Sequence, residues 1–461
     1  MSAFDEVSAW LTDRLPDLLA KHKVVGASVA VLADGAVADT AAGSANLAAD
    51  IPATPDTLFQ IGSITKIWTS TLVMRLVDEG LVELDAPVVK YLPEFATAEP
   101  DTSARITVRQ LLSHTSGFEG DVFKDTGRGD DAVERLVAEI LPTVAQTLAP
   151  GVMFSYNNAG FCVLGRIVEV VRGTTWAAAI HEEIAKPLGV RVATDAYEAI
   201  LHRAAVGHVV PGPDADPEVV LRWGLPSSNG PAGAMLSTSA RELLAFARMH
   251  LDGGLAADGT RVLSEDSVRR MRRPEVDVPR RTVRAVKLGL GWHLFDWPGA
   301  DVIGHDGSTV GQGAFLRLVP EKGVAVAMLT NGGGDLSGLF QDVFGHVLAE
   351  LAGVEMPPGL GRPENPVPVG DPGRYTGSYE SGLNRFDVSD EDGRLWIVAT
   401  PGPDIADFAV VPPRRELLRV EADLFFGDSG EDAGMPYVFV GSTEDGRAAY
   451  LHNHRANPRI A

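Results

Sequence analysis

The stretch Ile61-Gly62-Ser63-Ile64-Thr65-Lys66 decides how the rest of this 461-residue chain is read. A serine hydroxyl is a poor nucleophile until a base takes its proton. Residues three apart on a helix share a face, so a helix beginning here puts Lys66 beside Ser63. Burial disfavours an ammonium ion, so a desolvated lysine can serve as that base near neutral pH. The following residues keep helical apolar spacing at Ile67, Thr71, Met74 and Val77, and predict a helix from Ser63 to Glu79. On its own, Ser-x-x-Lys is weak. A helix-capping serine followed by a solvated lysine is the commoner meaning of such a fragment.

Two more stretches carry chemistry. Tyr156-Asn157-Asn158 follows Pro150-Gly151. A tyrosine can pass a proton if a nearby cation lowers its pKa. Asn158 can hold a lysine ammonium by its carbonyl and a substrate amide by its NH2. Gly304-His305-Asp306-Gly307-Ser308 precedes Gly311 and a strand-like run over 313–319. A strand beside a nucleophile can offer its backbone N–H groups to an oxyanion, and small residues let substrate lie against it. His305 could donate to a leaving group or to a substrate carboxylate. Each stretch has a plainer alternative: a turn with a partly buried tyrosine, and a passive strand histidine.

Outward from these motifs, Phe4 to His22 has helical periodicity. Strand-like runs flank Asp34-Gly35 and read as a β-hairpin. Residues 85–251 are mostly helical, and strands return after Gly289, closed by a helix from Leu336 to Ala352. Strands at both ends of this segment, with helices between, predict an α/β domain whose ends share one sheet. Residues 353–373 are rich in proline and glycine and read as a linker. From there to residue 461, short strands and turn residues predict a small all-β domain, a barrel.

Ser-x-x-Lys, then Tyr-x-Asn about ninety residues on, then His-x-Gly before a strand, resembles the three-motif order of penicillin-recognising serine enzymes. The chain resembles their class C β-lactamase branch, with its D-aminopeptidases, D,D-carboxypeptidase-like enzymes and family VIII esterases. Leu111 to Phe118, Pro231 to Thr238 and Val326 to Asn331 support this, and the likeness covers residues 5 to about 352. It implies a β-lactamase/transpeptidase-like α/β (α+β) fold, an antiparallel sheet flanked by helices with a helical insertion. It also implies roles. Ser63 becomes acylated, Lys66 and Tyr156 move protons, and Asn158 orients Lys66 and the substrate amide. The N–H groups of Ser63 and Ser308 form the oxyanion hole, His305 counts with the catalytic residues, and Asp306 and Gly307 meet substrate. His114 reads as structural.

β-Lactamases carry a lysine where this chain has His305. A fixed cation binds the penicillin carboxylate and a neutral histidine does not, so strong β-lactamase activity is not expected. The C-terminal β domain ending in His452-Asn-His-Arg455-Ala-Asn-Pro-Arg459 is similar to the lipocalin-like domain of penicillin-binding-protein-type thioesterases. Those enzymes release and cyclise nonribosomal peptides in the cytoplasm. The resemblance implies a peptidyl (thio)ester substrate, carried by a carrier protein. Arg455 or another tail arginine could help position the peptide, because a guanidinium pairs well with carbonyl or carboxylate oxygens. The alternative is an esterase or D-amino-acid peptidase.

The bulk numbers narrow the partners. A net charge of −22 disfavours phosphate backbones and anionic lipid, so neither nucleic acid nor membrane is expected. The N-terminus has early acids and no apolar signal region, which predicts a cytoplasmic protein. His452 and His454 lack a ligand set around them, so no metal or other cofactor is expected. The lone Cys162 lies in an apolar run and reads as a small core residue.

Overall fold

The Asp34-Gly35 dipeptide makes the first turn of the sheet. Both residues have positive φ, 50° and 77°, as a two-residue turn matched to the strand twist requires. The computed structural model describes residues 2–460 apart from 213–214, 280–285, 359–361, 404–405, 407–412 and 429–435. In chain order the elements that position the site are α1 (Ala3–His22), β1 (Gly26–Ala33), β2 (Ala36–Asn46), β3 (Ile51–Pro52), α2 (Thr65–Asp78), α3 (Asn158–Arg172) and α4 (Ala240–Leu251). There follow β4 (Val276–Asp277), β5 (Lys287–Leu288), β6 (His293–Trp297), β7 (Ala300–Thr309), β8 (Gln312–Val319), β9 (Val324–Thr330) and α5 (Leu336–Ala352).

These strands form one antiparallel sheet in the order β3-β2-β1-β9-β8-β7-β6-β5-β4. The join of β1 to β9, with Ala27 opposite Thr330, brings the two ends of the domain together. Side chains alternate between the faces. Val29 and Val31 with Val326 and Met328 meet Leu11, Leu15 and Leu18 of α1 and Phe344 and Val347 of α5. Ala30, Leu32, Ala325 and Ala327 face the other way, onto α2, α3 and α4. The helical insertion sits on that second face. Its central helix, α2, is buried from Thr65 through Met74. A helix wrapped on all sides needs no polar stripe, so the apolar spacing expected along it marks only part of its buried surface.

Among the described residues of 353–371 there is no helix or strand. Among the described residues that follow are eight strands, β10 (Gly377–Glu380), β11 (Asn384–Glu391), β12 (Arg394–Pro401), β13 (Arg415–Glu421), β14 (Leu424–Gly427), β15 (Pro436–Val440), β16 (Tyr450–His452) and β17 (Ala456–Pro458). Each pairs with the next. Tyr379 bridges Arg459, and the Ile460 N–H donates to Ser378 O at 2.8 Å, so the last strand returns to the first and the barrel is nearly closed. Its interior is filled: Tyr375, Tyr379, Phe386, Phe425, Tyr437 and Phe439 pack there, with Phe425 and Phe439 edge to face at 5.4 Å. Among the described residues no helix is long and apolar enough to cross a membrane.

Candidate active site

Ser63 lies in a single 3-10 turn, Gly62–Ile64, that leads directly into α2. This tightening of the expected first turn keeps Ser63 partly exposed while Lys66, one turn on, is fully buried. The Lys66 ammonium donates to Ser63 Oγ at 3.1 Å, Asn158 Oδ1 at 2.6 Å and Ala232 O at 2.6 Å. Burial pulls its pKa from the ordinary lysine value down to about 7, with Arg455 adding to the fall and Cys162 and Asp121 opposing it. The three partners match the three N–H bonds of the ammonium. Two are carbonyl oxygens, which only accept, so the lone pair of a neutral Lys66 can be used only by the Ser63 hydroxyl. That is the geometry of a nucleophile and its base.

Tyr156 completes the cluster. Its phenol interacts with the Ser63 side chain, and Lys66 Nζ lies 4.8 Å from its ring centre. Contrary to the expectation of a phenol acidified by a cation, burial raises the Tyr156 pKa and outweighs the nearby positive charge of Arg455. Tyr156 is therefore a neutral phenol, able to relay a proton but not to serve as a standing tyrosinate. His114 supports it. The two rings stack at 4.4 Å, and His114 Nδ1 accepts from Asn157 N at 2.9 Å, fixing the turn that starts α3. Burial holds the His114 pKa well below its usual value.

The third motif runs along β7 past the nucleophile. A Cβ on Gly307 would sit 2.0 Å from Ile61 O and 3.0 Å from Ser63 N, and one on Gly62 would sit 2.5 Å from Ser308 N. The two backbones can approach this closely only because both residues are glycine. This close approach sets the backbone of Ser308 beside that of Ser63, the pair whose amides are expected to cradle an oxyanion. Gly307→Val should slow acylation of Ser63 by about 100-fold, as loss of one such donor does elsewhere. Quenched intact-protein mass spectrometry gives the rate, and an unchanged near-ultraviolet circular dichroism spectrum shows that the fold persists.

His305 is buried, stacks on His293 at 4.1 Å, and donates from Nδ1 to Asp306 O at 2.6 Å. Its Nε2 is buried with no hydrogen-bond partner among the described residues. Burial, then His293 and Lys66, push its pKa well below the ordinary value, so the ring is neutral. Asp306, expected at the substrate, is instead gripped by Arg317: NH1 to Oδ1 at 2.6 Å and NH2 to Oδ2 at 3.1 Å. Arg317 is itself buried over Phe295 and Phe340. The physical reason is strand alternation, which turns Asp306 away from the His305 side and towards this cation.

Asn158 has a further partner. One N–H of its NH2 donates to Asp121 Oδ1 at 2.8 Å, a partner the sequence did not reveal, and leaves the second N–H for the substrate amide group expected there. Arg455, expected to meet substrate directly, clamps the same fully buried carboxylate, with Nε to Oδ2 at 2.6 Å and NH2 to Oδ1 at 3.0 Å. The guanidinium also lies 5.0 Å from the Tyr156 ring centre. Around it the β16–β17 hairpin grips the backbone that carries Tyr156. The Tyr156 N–H donates to His454 O at 2.8 Å, and His452 Nε2 bonds Phe154 O at 2.9 Å. His452 and His454 are thus domain contacts, and no cluster of three or more potential metal ligands occurs among the described residues. Sequence reasoning missed Asp121, Glu119 and His293, which sit in no motif.

A family profile described as beta-lactamase matches residues 11–345. Penicillin-binding protein 4 of Amycolatopsis lactamdurans is 42% identical over 371 residues, 80% of this chain and 96% of that protein. Esterase EstB of Burkholderia gladioli is 35% identical over 210 residues, 41% of this chain and 53% of the esterase. The crystal structure of SurE superposes with a TM-score of 0.76 at 28% identity, covering 99% of this chain and 100% of that one. A second SurE structure, with D-Leu, gives the same TM-score at 29% identity. The chain belongs to the beta-lactamase family of serine hydrolases.

Proposed function

We propose that this chain is an acyltransferase that loads a peptidyl chain from a thioester onto Ser63 and releases it by attack of the peptide's own N-terminal amine, giving a macrolactam. Lys66 takes the Ser63 proton as Oγ attacks the carbonyl. The Ser63 and Ser308 amides hold the oxyanion, and the thiol leaves with a proton relayed through Tyr156. In the second step the amine attacks the ester, loses its proton to Lys66, and Ser63 leaves as the free hydroxyl.

The observation that carries this reading is the likeness to SurE over the whole chain, barrel included, with the barrel's last hairpin bonded to the backbone that carries Tyr156. That SurE is seen with D-Leu favours a substrate with a D-residue near the acyl carbonyl. The third motif supports it too. A neutral His305 beside an Arg317-bound Asp306 supplies no fixed cation for a penicillin-type carboxylate. The second reading, an esterase, is favoured by the identity to EstB across part of the chain.

The test uses peptidyl N-acetylcysteamine thioesters ending in a D-residue or the matched L-residue, with Ser63→Ala as control. Serine-dependent cyclic product from the D-peptide is expected. Linear acid as the sole product would sink the cyclase and leave the hydrolase.

A further inference from the structure

Three contacts in series join the barrel to the catalytic lysine. Arg455, on the β16–β17 turn, holds both oxygens of Asp121. Asp121 accepts from the Asn158 NH2, and Asn158 Oδ1 accepts from Lys66. The amide of an asparagine has nearly the same shape either way round, so a neighbour must decide which end faces the lysine. A carboxylate only accepts. It takes the NH2 end and leaves the carbonyl for Lys66; the flipped amide would set oxygen against oxygen. Asp121 is completely buried, and such a carboxylate persists only with a paired cation, which the barrel supplies. A second thread runs parallel. Glu119 accepts from Asp121 N at 2.9 Å through Oε1 and from the barrel's Gly382 N at 2.7 Å through Oε2.

We infer that Asp121 is a positioning residue through which the C-terminal barrel sets the catalytic lysine: Arg455 holds its carboxylate, the carboxylate orients Asn158, and Asn158 presents its carbonyl to Lys66. This rests on reading Ser63 and Lys66 as the acylation pair, and on nothing about the substrate. The titratable and charged groups around Lys66 are Asp121, Arg455, Cys162, Tyr156, His114 and His305. Among them Asp121 and Arg455 act with opposite sign on the lysine.

The experiment follows acylation by p-nitrophenyl acetate against pH, read by intact-protein mass spectrometry in the full-length chain. Asp121→Asn should slow acylation about tenfold, because the amide is no longer held one way round. It should also move the midpoint of the pH profile down by about one pH unit, since Arg455 is left unopposed. Arg455→Gln should move the midpoint up by a similar amount, because the bare carboxylate favours the ammonium. Arg455→Lys should return the midpoint to that of the parent with only part of the rate. If a single variant fails to fold, the pair Asp121→Ala/Arg455→Ala leaves no buried ion unpaired and should keep the parent midpoint with the tenfold loss. Unchanged midpoints, shifts of the same sign in both single variants, or a full rate in the double variant would overturn the inference. Labelling that persists in Ser63→Ala would instead overturn the acylation pair on which it stands.

Discussion

Ser63→Ala should abolish covalent acylation by any activated ester or peptidyl thioester, leaving no mass increment on the intact protein after a quench. The expected loss is total because no neighbour can replace the hydroxyl. Cys162, the one thiol of the chain, is buried on α3 and burial pushes its pKa up to about 12, so almost none is thiolate at neutral pH. Tyr156 is held as a phenol by the same effect. The fold should survive, since Ser63 is partly exposed and contributes one hydrogen bond to Lys66. Removing that partner leaves Lys66 held by Asn158 and Ala232. A mass increment that persists in the variant, mapped by peptide digestion to another residue, would show that the nucleophile lies elsewhere.

Much of this site could be read along the chain, because its first layer is local. The spacing of Ser63 and Lys66 is set by one helical turn. The Asp-Gly turn at 34–35 fixes the pairing of β1 with β2, and the β7 and β8 segments stand out as strands on either side of Gly311. The barrel was legible too, from short strands and turn residues, because each of its strands pairs with its sequence neighbour. What could not be read was set by distance. Arg455 and Asp121 are 334 residues apart and meet only because the last hairpin of the barrel docks on the segment 154–156. The sense of the Tyr156 shift was also hidden. A nearby cation argues for a more acidic phenol, and burial, a property of the folded chain alone, outweighs the arginine that is there. Asp306 failed for a similar reason. Its partner Arg317 lies on the neighbouring strand, and only the register of β7 with β8 shows that the two reach each other.

The identity of the base has the second large consequence. Lys66→Ala should slow acylation by about 1,000-fold or more, in the range that loss of a positioned general base costs, and nearly as severely as loss of Ser63 because the two act as one unit. The pH profile separates the candidates. As the proposed base, Lys66 works in its neutral amine form, and burial lowers its pKa to about 7. Below that value the ammonium dominates and the rate should fall about tenfold for each pH unit, while above it the rate should level off. The limb thus appears as pH rises through about 7, well below where an exposed lysine would place it. His305, whose pKa is pushed well below its usual value, is already neutral there and as the base would give a flat profile across neutrality. A tyrosinate at Tyr156, whose pKa is raised, would give a rate still climbing in strong alkali. Three candidates therefore predict three different curves from one titration of the acylation rate. A midpoint near 7 that vanishes in Lys66→Ala assigns the base; a flat or alkaline curve in the parent protein would move it to the histidine or the tyrosine.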